Sequence, residues 1–177
     1  MNTLNNKNVL VTGGAGFIGS HLVDLIIQQE AHKVVVASNF FLGRLSNLQE
    51  SQKVFPELVV EKCEITNFEE IKDVITKHSI DVVFNLAAVP LPTSHLKPEW
   101  CIQQNVDMTL NICRLLREEA FDSLIQYSSS EALGTVRQLP MGNNHPSFPE
   151  TPYAASKLAT DHIALSYHNT YGCDIAL

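Results

Sequence analysis

The sequence has no apolar run near the ~20 residues that a membrane-spanning helix needs, so no membrane partner is expected. Basic residues are scarce: 12 Lys and Arg stand against 19 Asp and Glu, and the formal net charge is −7. Nucleic acid is therefore not expected as a partner either, because its phosphates would be repelled. Residues 1–7 carry no signal-peptide pattern, which predicts a cytoplasmic protein.

Closely spaced metal ligands are missing as well. The histidines form no His-Glu-x-x-His motif, and the cysteines form no Cys-x-x-Cys motif because they are widely spaced, at Cys63, Cys101, Cys113 and Cys173. We therefore expect buried, reduced thiols and no metal site.

The sequence does contain a regular alternation of short apolar runs and helical patterns. The runs predict strands at 9–11, 34–36, 58–60, 82–84 and 124–127, with the start of a sixth at 175–177. Helical spacing predicts helices between them, including long ones at about 99–119 and from 152. Continuous apolar strands separated by helices indicate an α/β fold, a doubly wound parallel sheet of the Rossmann kind.

The predicted domain covers residues 1–177. Its sixth strand runs into Leu177, whereas a domain boundary is expected in a polar loop. We therefore expect a domain cut in its sixth strand and a missing C-terminal segment that would bind substrate.

The loop after the first strand has the glycine spacing of a dinucleotide-binding turn. Gly13, Gly16 and Gly19 allow a tight turn, close approach of the backbone to a pyrophosphate, and close packing of helix on strand. The following helix N-terminus favours phosphate. We predict that these glycines, Phe17 and Ile18 bind a dinucleotide, with a purely structural turn as the alternative.

Residues after the second and third strands bear on which dinucleotide is bound. Ser38, followed by Asn39, stands where an acidic residue normally binds the adenosine ribose. Without that carboxylate, Arg44 is free to pair with the 2′-phosphate of NADP; alternatively, Ser38 binds the ribose of NAD and Arg44 is solvated. Glu64, which precedes Ile65, is placed to accept a hydrogen bond from adenine or to lie at the surface.

Two polar groups of residues indicate chemistry on an alcohol. Tyr153 and Lys157 share one helix face, where the ammonium favours a phenolate that takes a hydroxyl proton as hydride leaves the carbon. Ser129, Ser130 and Glu131 follow the fifth strand, where this fold places functional groups. A hydroxyl there would position the reacting oxygen and a carboxylate would act as a base; a solvated serine turn is the alternative.

These motifs, with Asn85–Ala88 and Thr151–Lys157, resemble the NAD-dependent epimerase/dehydratase family of extended short-chain dehydrogenases, which act on nucleotide sugars. The resemblance covers residues 7–177. It implies that Ser129, Tyr153 and Lys157 are catalytic, and that Ile65, Leu86, Ala87, Ala88, Tyr153 and Lys157 join the other cofactor-binding residues. It also implies NAD as the cofactor, with NADP as the alternative.

The resemblance further implies an activity, since Ser130–Glu131 is similar to the Ser-Glu or Asp-Glu pair of nucleotide-sugar 4,6-dehydratases. We predict such an enzyme, with a nucleotide-sugar 4-epimerase as the alternative and a non-catalytic dinucleotide-binding module as an alternative of another class. The sequence departs from the family at Ser38 and at Ala132–Gly134, where the family has Val-Tyr-Gly.

The resemblance and the helix patterns together predict a homodimer. In the helix at about 99–119, we assign Ile102, Val106, Leu110 and Cys113 to the sheet, which leaves Ile112, Leu115 and Leu116 as a surplus. A four-helix contact between two copies, formed with the helix at 152–170, would cover that surplus.

Overall fold

The computed structural model describes residues 4–142 and 144–177. Six strands form one parallel sheet in the order β3-β2-β1-β4-β5-β6. They are β1 (Asn8–Thr12), β2 (Lys33–Ser38), β3 (Val59–Lys62), β4 (Val82–Asn85), β5 (Ser123–Gln126) and β6 (Asp174–Ala176). The predicted doubly wound sheet is confirmed, and the strand order reverses between β1 and β4, where this fold binds its ligands.

Six α-helices connect the strands: α1 (Phe17–Gln28), α2 (Gln49–Val54), α3 (Phe68–His78), α4 (Leu91–Leu96), α5 (Pro98–Arg117) and α6 (Pro152–Tyr171). Short 3-10 turns lie at Leu45–Leu48 and Ser130–Leu133. The long helices agree with the sequence prediction, whereas α2 and α4 were missed because six residues are too few to show a helical period. Within the described residues, no helix has the length and apolar character needed to cross a membrane.

The helices cover the sheet in two layers. On one face of the sheet, Val9, Val11 and Val36 pack against Val23 and Ile26 of α1. The opposite face of the sheet packs on α3, α5 and α6, with Leu10, Val83 and Leu124 at its centre. Alternate residues of one strand thus enter different cores, which explains why the strands are apolar throughout.

The predicted apolar face of α5 was partly wrong. Ile112, Leu115 and Leu116 are buried against the sheet with Cys113, whereas Ile102 and Leu110 are 39% and 36% exposed. The reason is that α5 packs on the sheet and α6 together, so its buried arc is wide and includes polar residues. The sequence analysis started the apolar stripe at Ile102 and therefore chose a helix face next to the one that is buried.

A buried chain of hydrogen bonds, which we call the polar ladder, joins the ends of three strands. Thr12 Oγ1 donates to Asn85 Oδ1 at 2.6 Å, and Asn85 Nδ2 donates to Gln126 Oε1 at 2.8 Å. All three side chains are buried. The backbone N–H groups of Leu86 and Ala87 also donate to Thr12 Oγ1, at 3.1 and 3.2 Å. The polar ladder therefore fixes the loop after β4 as well as the strands.

We expect Asn85→Ala to lower the free energy of unfolding by about 2–3 kcal/mol, because it leaves the buried Thr12 hydroxyl proton without its acceptor and the buried Gln126 Oε1 without its donor. Equilibrium unfolding in urea, followed by circular dichroism, measures the change. Gln103→Ala is the matched control, since it removes an exposed amide bonded only to Asp107. Equal losses in the two variants would show that the buried polar ladder contributes no more to the free energy of unfolding than an exposed hydrogen bond does.

Candidate active site

The glycine loop lies between β1 and α1 and has little room for side chains. Gly13 has a left-handed backbone (φ +68°), and a Cβ there would lie 3.1 Å from Cα of Ala87. A Cβ on Gly19 would lie 2.4 Å from the carbonyl oxygen of Gly13. The α1 N-cap, Gly16, offers no side-chain hydrogen bond, so the first N–H groups of the helix are left for a ligand.

A cleft of about 710 Å³ opens in front of this loop, at the carboxyl ends of β1, β2 and β4. It lies at the reversal of the strand order and is large enough for an extended cofactor. The predicted cofactor residues that line it are Gly13, Gly16, Phe17, Ser38, Asn39, Arg44, Glu64, Ile65, Leu86, Ala87 and Ala88. Most of the predicted cofactor-binding residues thus meet around one cavity.

Other predicted residues lie outside this lining. Gly19 is buried behind the loop, where it brings α1 close to β1, and Ile18 is exposed on α1. Tyr153 and Lys157 lie on α6. Among residues 4–142 and 144–177, no cluster of three or more His, Cys, Asp or Glu side chains is arranged to hold a metal ion.

An aromatic wall of the cleft was not predicted. Phe41, in the loop after β2, meets Trp100 of α5 edge to face, with 5.6 Å between the ring centroids. Both line the cleft, and both are partly exposed. They are distant in sequence and follow no motif, so their pairing could be found only from the packing of α5.

At the end of β2, the polar side chains bind one another. Ser38 Oγ accepts a hydrogen bond from the N–H of Phe40 at 3.1 Å. Asn39 Nδ2 donates to Glu64 Oε2 at 2.9 Å, which fixes this carboxylate after β3. Arg44 is exposed at the edge of the same cleft. The end of β2 has no carboxylate to repel a 2′-phosphate, but the Glu64 carboxylate lies nearby in the same cleft. The structure is therefore compatible with both NAD and NADP.

The second part of the site lies at the start of α6. Thr151 caps the helix by accepting a hydrogen bond from the N–H of Ala154 at 3.0 Å. One turn beyond Tyr153, Lys157 is only 5% exposed, and its Nζ donates to the carbonyl oxygen of Tyr127 at 2.5 Å. Burial lowers the pKa of the Lys157 ammonium, and the charge of Asp161 opposes this effect. Lys157 thereby ties α6 to the end of β5.

Tyr153 lies near Ser129 and Glu131, which belong to the turn after β5. Burial raises the pKa of its phenol; the Ser129 hydroxyl acts in the opposite direction, and the nearby Glu131 charge adds to the rise. Ser129 Oγ accepts a hydrogen bond from the N–H of Glu131 at 3.3 Å, while Ser130 is exposed. The surroundings of Tyr153 in this structure therefore oppose the loss of its phenol proton.

Asn105 of α5, which the sequence analysis missed, connects the two parts. Its Oδ1 accepts from the N–H of Val89 at 2.7 Å, and its Nδ2 donates to the Val89 carbonyl at 3.1 Å and to Ser156 Oγ at 2.8 Å. Val89 lines the cleft and Ser156 lies on α6 between Tyr153 and Lys157. In the sequence, this role could have been suspected from a single Asn at a buried position of α5.

The family model described as GDP-mannose 4,6 dehydratase matches residues 10–177. The chain belongs to this family. The resemblance inferred from the sequence is therefore confirmed, and so is the fold that it implied.

Relatives within this family carry different activities in their names. The chain is 31% identical over 171 residues to a putative UDP-glucose 4-epimerase of Methanocaldococcus jannaschii, covering 96% of this chain and 53% of that protein. It is 32% identical to UDP-glucuronic acid decarboxylase 6 of Arabidopsis thaliana, covering 97% of this chain and 49% of that protein. The chain thus spans about half the length of the relatives that it matches.

A solved dTDP-glucose 4,6-dehydratase from Bacillus anthracis, in complex with NAD, has the same fold. It superposes with a TM-score of 0.82 at 31% identity and covers 96% of this chain and 53% of that one. NAD, the cofactor predicted from the sequence, is thus held by a member of this fold. The roles of the individual site residues stay predictions.

Proposed function

We propose that this chain is the cofactor-binding part of an NAD-dependent nucleotide-sugar 4,6-dehydratase. The observation that carries the proposal is the cluster of Ser129, Glu131 and Tyr153, backed by the buried Lys157. Asn105 connects this cluster to the wall of the dinucleotide cleft. A non-catalytic binding module would have no need of a buried ammonium behind a buried phenol.

The residues of the cleft suit a dinucleotide. The uncapped N-terminus of α1 would hold the diphosphate, while Ser38, Asn39 and Glu64 would hold the adenosine end. Ala88 and Tyr153 would hold the nicotinamide end. When bound, NAD would supply a reversible hydride acceptor.

The chain's own residues move the protons. Tyr153, as a phenolate stabilised by Lys157, takes the 4-hydroxyl proton while hydride leaves C4, and Ser129 holds the reacting oxygen. The 4-ketone acidifies the C5 proton, which Glu131 accepts. The C6 hydroxyl leaves as water with a proton from Ser130, directly or through a water molecule. Hydride would then be added to C6, and Glu131, after exchange with solvent, would protonate C5. The proton on Tyr153 would pass through solvent to Ser130, which restores both groups.

A 4-epimerase is the second candidate, favoured by one observation. Ser130, a weak acid, is exposed at the position where the dehydratase needs a proton donor. In an epimerase the ketone turns in the site and receives hydride at C4 on its other face, and Glu131 only lines the pocket. The similarity to a putative UDP-glucose 4-epimerase supports this alternative.

The wider setting is part of the proposal. A nucleotide sugar is the substrate, the cytoplasm is the compartment, and two copies of the chain form a homodimer. All four cysteines are buried free thiols, which suits a reducing compartment.

We expect the chain to bind NAD but to convert nucleotide sugars far more slowly than a full-length enzyme, because binding the sugar nucleotide in register supplies much of the rate. Trp100 is the only tryptophan in the sequence and lines the cleft, so its fluorescence measures cofactor binding. Turnover is assayed with UDP-, GDP-, dTDP- and CDP-sugars in deuterated water. Dehydration places deuterium at C5, whereas epimerisation does not.

Tyr153→Phe is the control for these assays, since it should lose all turnover and still bind the cofactor, more weakly, through the residues that line the cleft. A chain that leaves Trp100 fluorescence unchanged at millimolar NAD would contradict the proposal. Rapid turnover by the chain alone would show instead that the substrate site is already complete.

Cofactor choice should depend on Ser38 and Arg44. We expect Ser38→Asp to weaken NADP binding roughly tenfold or more through like-charge repulsion, while NAD binding holds or improves. Arg44→Ala should weaken NADP selectively if the guanidinium pairs with the 2′-phosphate. Fluorescence titrations of both dinucleotides measure this. If NAD is preferred and Arg44→Ala changes neither affinity, the phosphate-pairing idea is wrong.

The homodimer can be tested at the outer faces of α5 and α6. Ile102, Leu110 and Leu165 are partly exposed there, so a second copy would cover them. We expect a dimer in sedimentation velocity at roughly tens of micromolar, and a monomer for Leu110→Asp. Wild-type chain that sediments only as a monomer at that concentration would overturn the dimer.

A further inference from the structure

Asp161 is a half-buried carboxylate that neither the sequence analysis nor the proposed chemistry uses. It lies on α6 one turn after Lys157, so Tyr153, Lys157 and Asp161 follow one another at intervals of four residues on one helix face. Its Oδ2 accepts a hydrogen bond from Ser128 Oγ. Its Oδ1 is buried and has no hydrogen-bond partner.

The unpartnered oxygen needs a physical explanation. A buried acceptor without a partner is unfavourable, so a compensating positive charge is expected nearby. Lys157 is the buried cation one turn away, and its Nζ donates to the Tyr127 carbonyl rather than to the carboxylate. The two charges therefore interact through space, across an interior where water screens them weakly.

Ser128 connects Asp161 to the proposed catalytic residues. It directly precedes Ser129, and Ser129 leads into the turn that contains Glu131. The bond from Ser128 to Asp161 thus holds the end of this turn against α6. The same carboxylate thus bonds to the residue before the serine turn and lies one helical turn after Lys157.

We propose that Asp161 is a positioning residue that fixes the Ser128–Glu131 turn on α6 and provides the counter-charge that keeps Lys157 protonated beside Tyr153. The inference rests on the proposed function, because it concerns how that same cluster activates a hydroxyl.

The surrounding charges set the sign of the effect. Burial raises the pKa of Asp161, while Ser128, Lys157 and His162 lower it. Asp161 raises the pKa of Lys157 against burial, and it also adds, with Cys101 and Glu131, to the raised pKa of Tyr153. Removing the negative charge should therefore move the titrations of both Lys157 and Tyr153 to lower pH. A purely structural side chain would move neither.

Asp161→Asn is the decisive variant, because it removes the charge and keeps an oxygen that accepts from Ser128. Lys157 is followed by NMR of its side-chain carbon, assigned with Lys157→Arg, and Tyr153 by phenolate absorbance, assigned with Tyr153→Phe. We expect both titration midpoints to fall by about half a pH unit or more. Asp73→Asn, an exposed carboxylate on α3, should leave both in place.

Ser128→Ala separates the two roles of Asp161. It removes the hydrogen bond and leaves the charge, so we expect a much smaller shift of Lys157 than in Asp161→Asn. Unchanged midpoints in a folded Asp161→Asn variant would overturn the proposal. The titrations need neither cofactor nor turnover, so a failure to bind NAD would refute the proposed function without touching this result.

Discussion

The polar ladder from Thr12 through Asn85 to Gln126 is the constraint on which the rest of the site depends. It crosses β1, β4 and β5 where the strands end, and its buried groups satisfy one another only when the three strands are in register. At one end Thr12 holds the loop that faces Gly13. At the other, Gln126 precedes Tyr127, whose carbonyl binds Lys157. Both parts of the site are thus attached to one buried network.

Burying these polar groups adds little stability, but it defines the geometry of the site. Buried polar groups such as Asn85, Asn105 and Lys157 gain little over apolar side chains of similar size, yet they fit only one packing of their neighbours. Asn105 illustrates this, since it bonds the cleft wall and α6 at once. Transfer of a hydride and a proton between fixed partners requires such precision, because small displacements reduce the rate strongly.

The sequence was most informative where one short segment carries both the signal and the structure. The glycine loop and the Tyr153–Lys157 pair are local patterns, so their place in the fold followed from the strand or helix that contains them. The cap of α3 is likewise local, since the Asn67 side chain accepts a hydrogen bond from the N–H of Glu70, three residues later.

Features that depend on distant contacts could not be read in this way. The Phe41–Trp100 pair, the Asn105 connection and the Ser128–Asp161 bond each join segments that only the fold brings together. The face of α5 was misassigned for the same reason, since its burial is decided by α6 as well as by the sheet. Ser38 shows how far sequence reasoning reaches at a single residue. Its place at the end of β2 was predicted, but the hydrogen bond that its hydroxyl accepts from the Phe40 N–H was not.

The two parts of the site are proposed to act on one bound dinucleotide. A crystal structure of the chain with NAD is the decisive measurement. We expect the diphosphate at the N-terminus of α1, the adenine between Asn39 and Glu64, and the nicotinamide ring beside Tyr153 and Ser129. A dinucleotide bound in the opposite direction, or with its nicotinamide ring far from Tyr153, would contradict it.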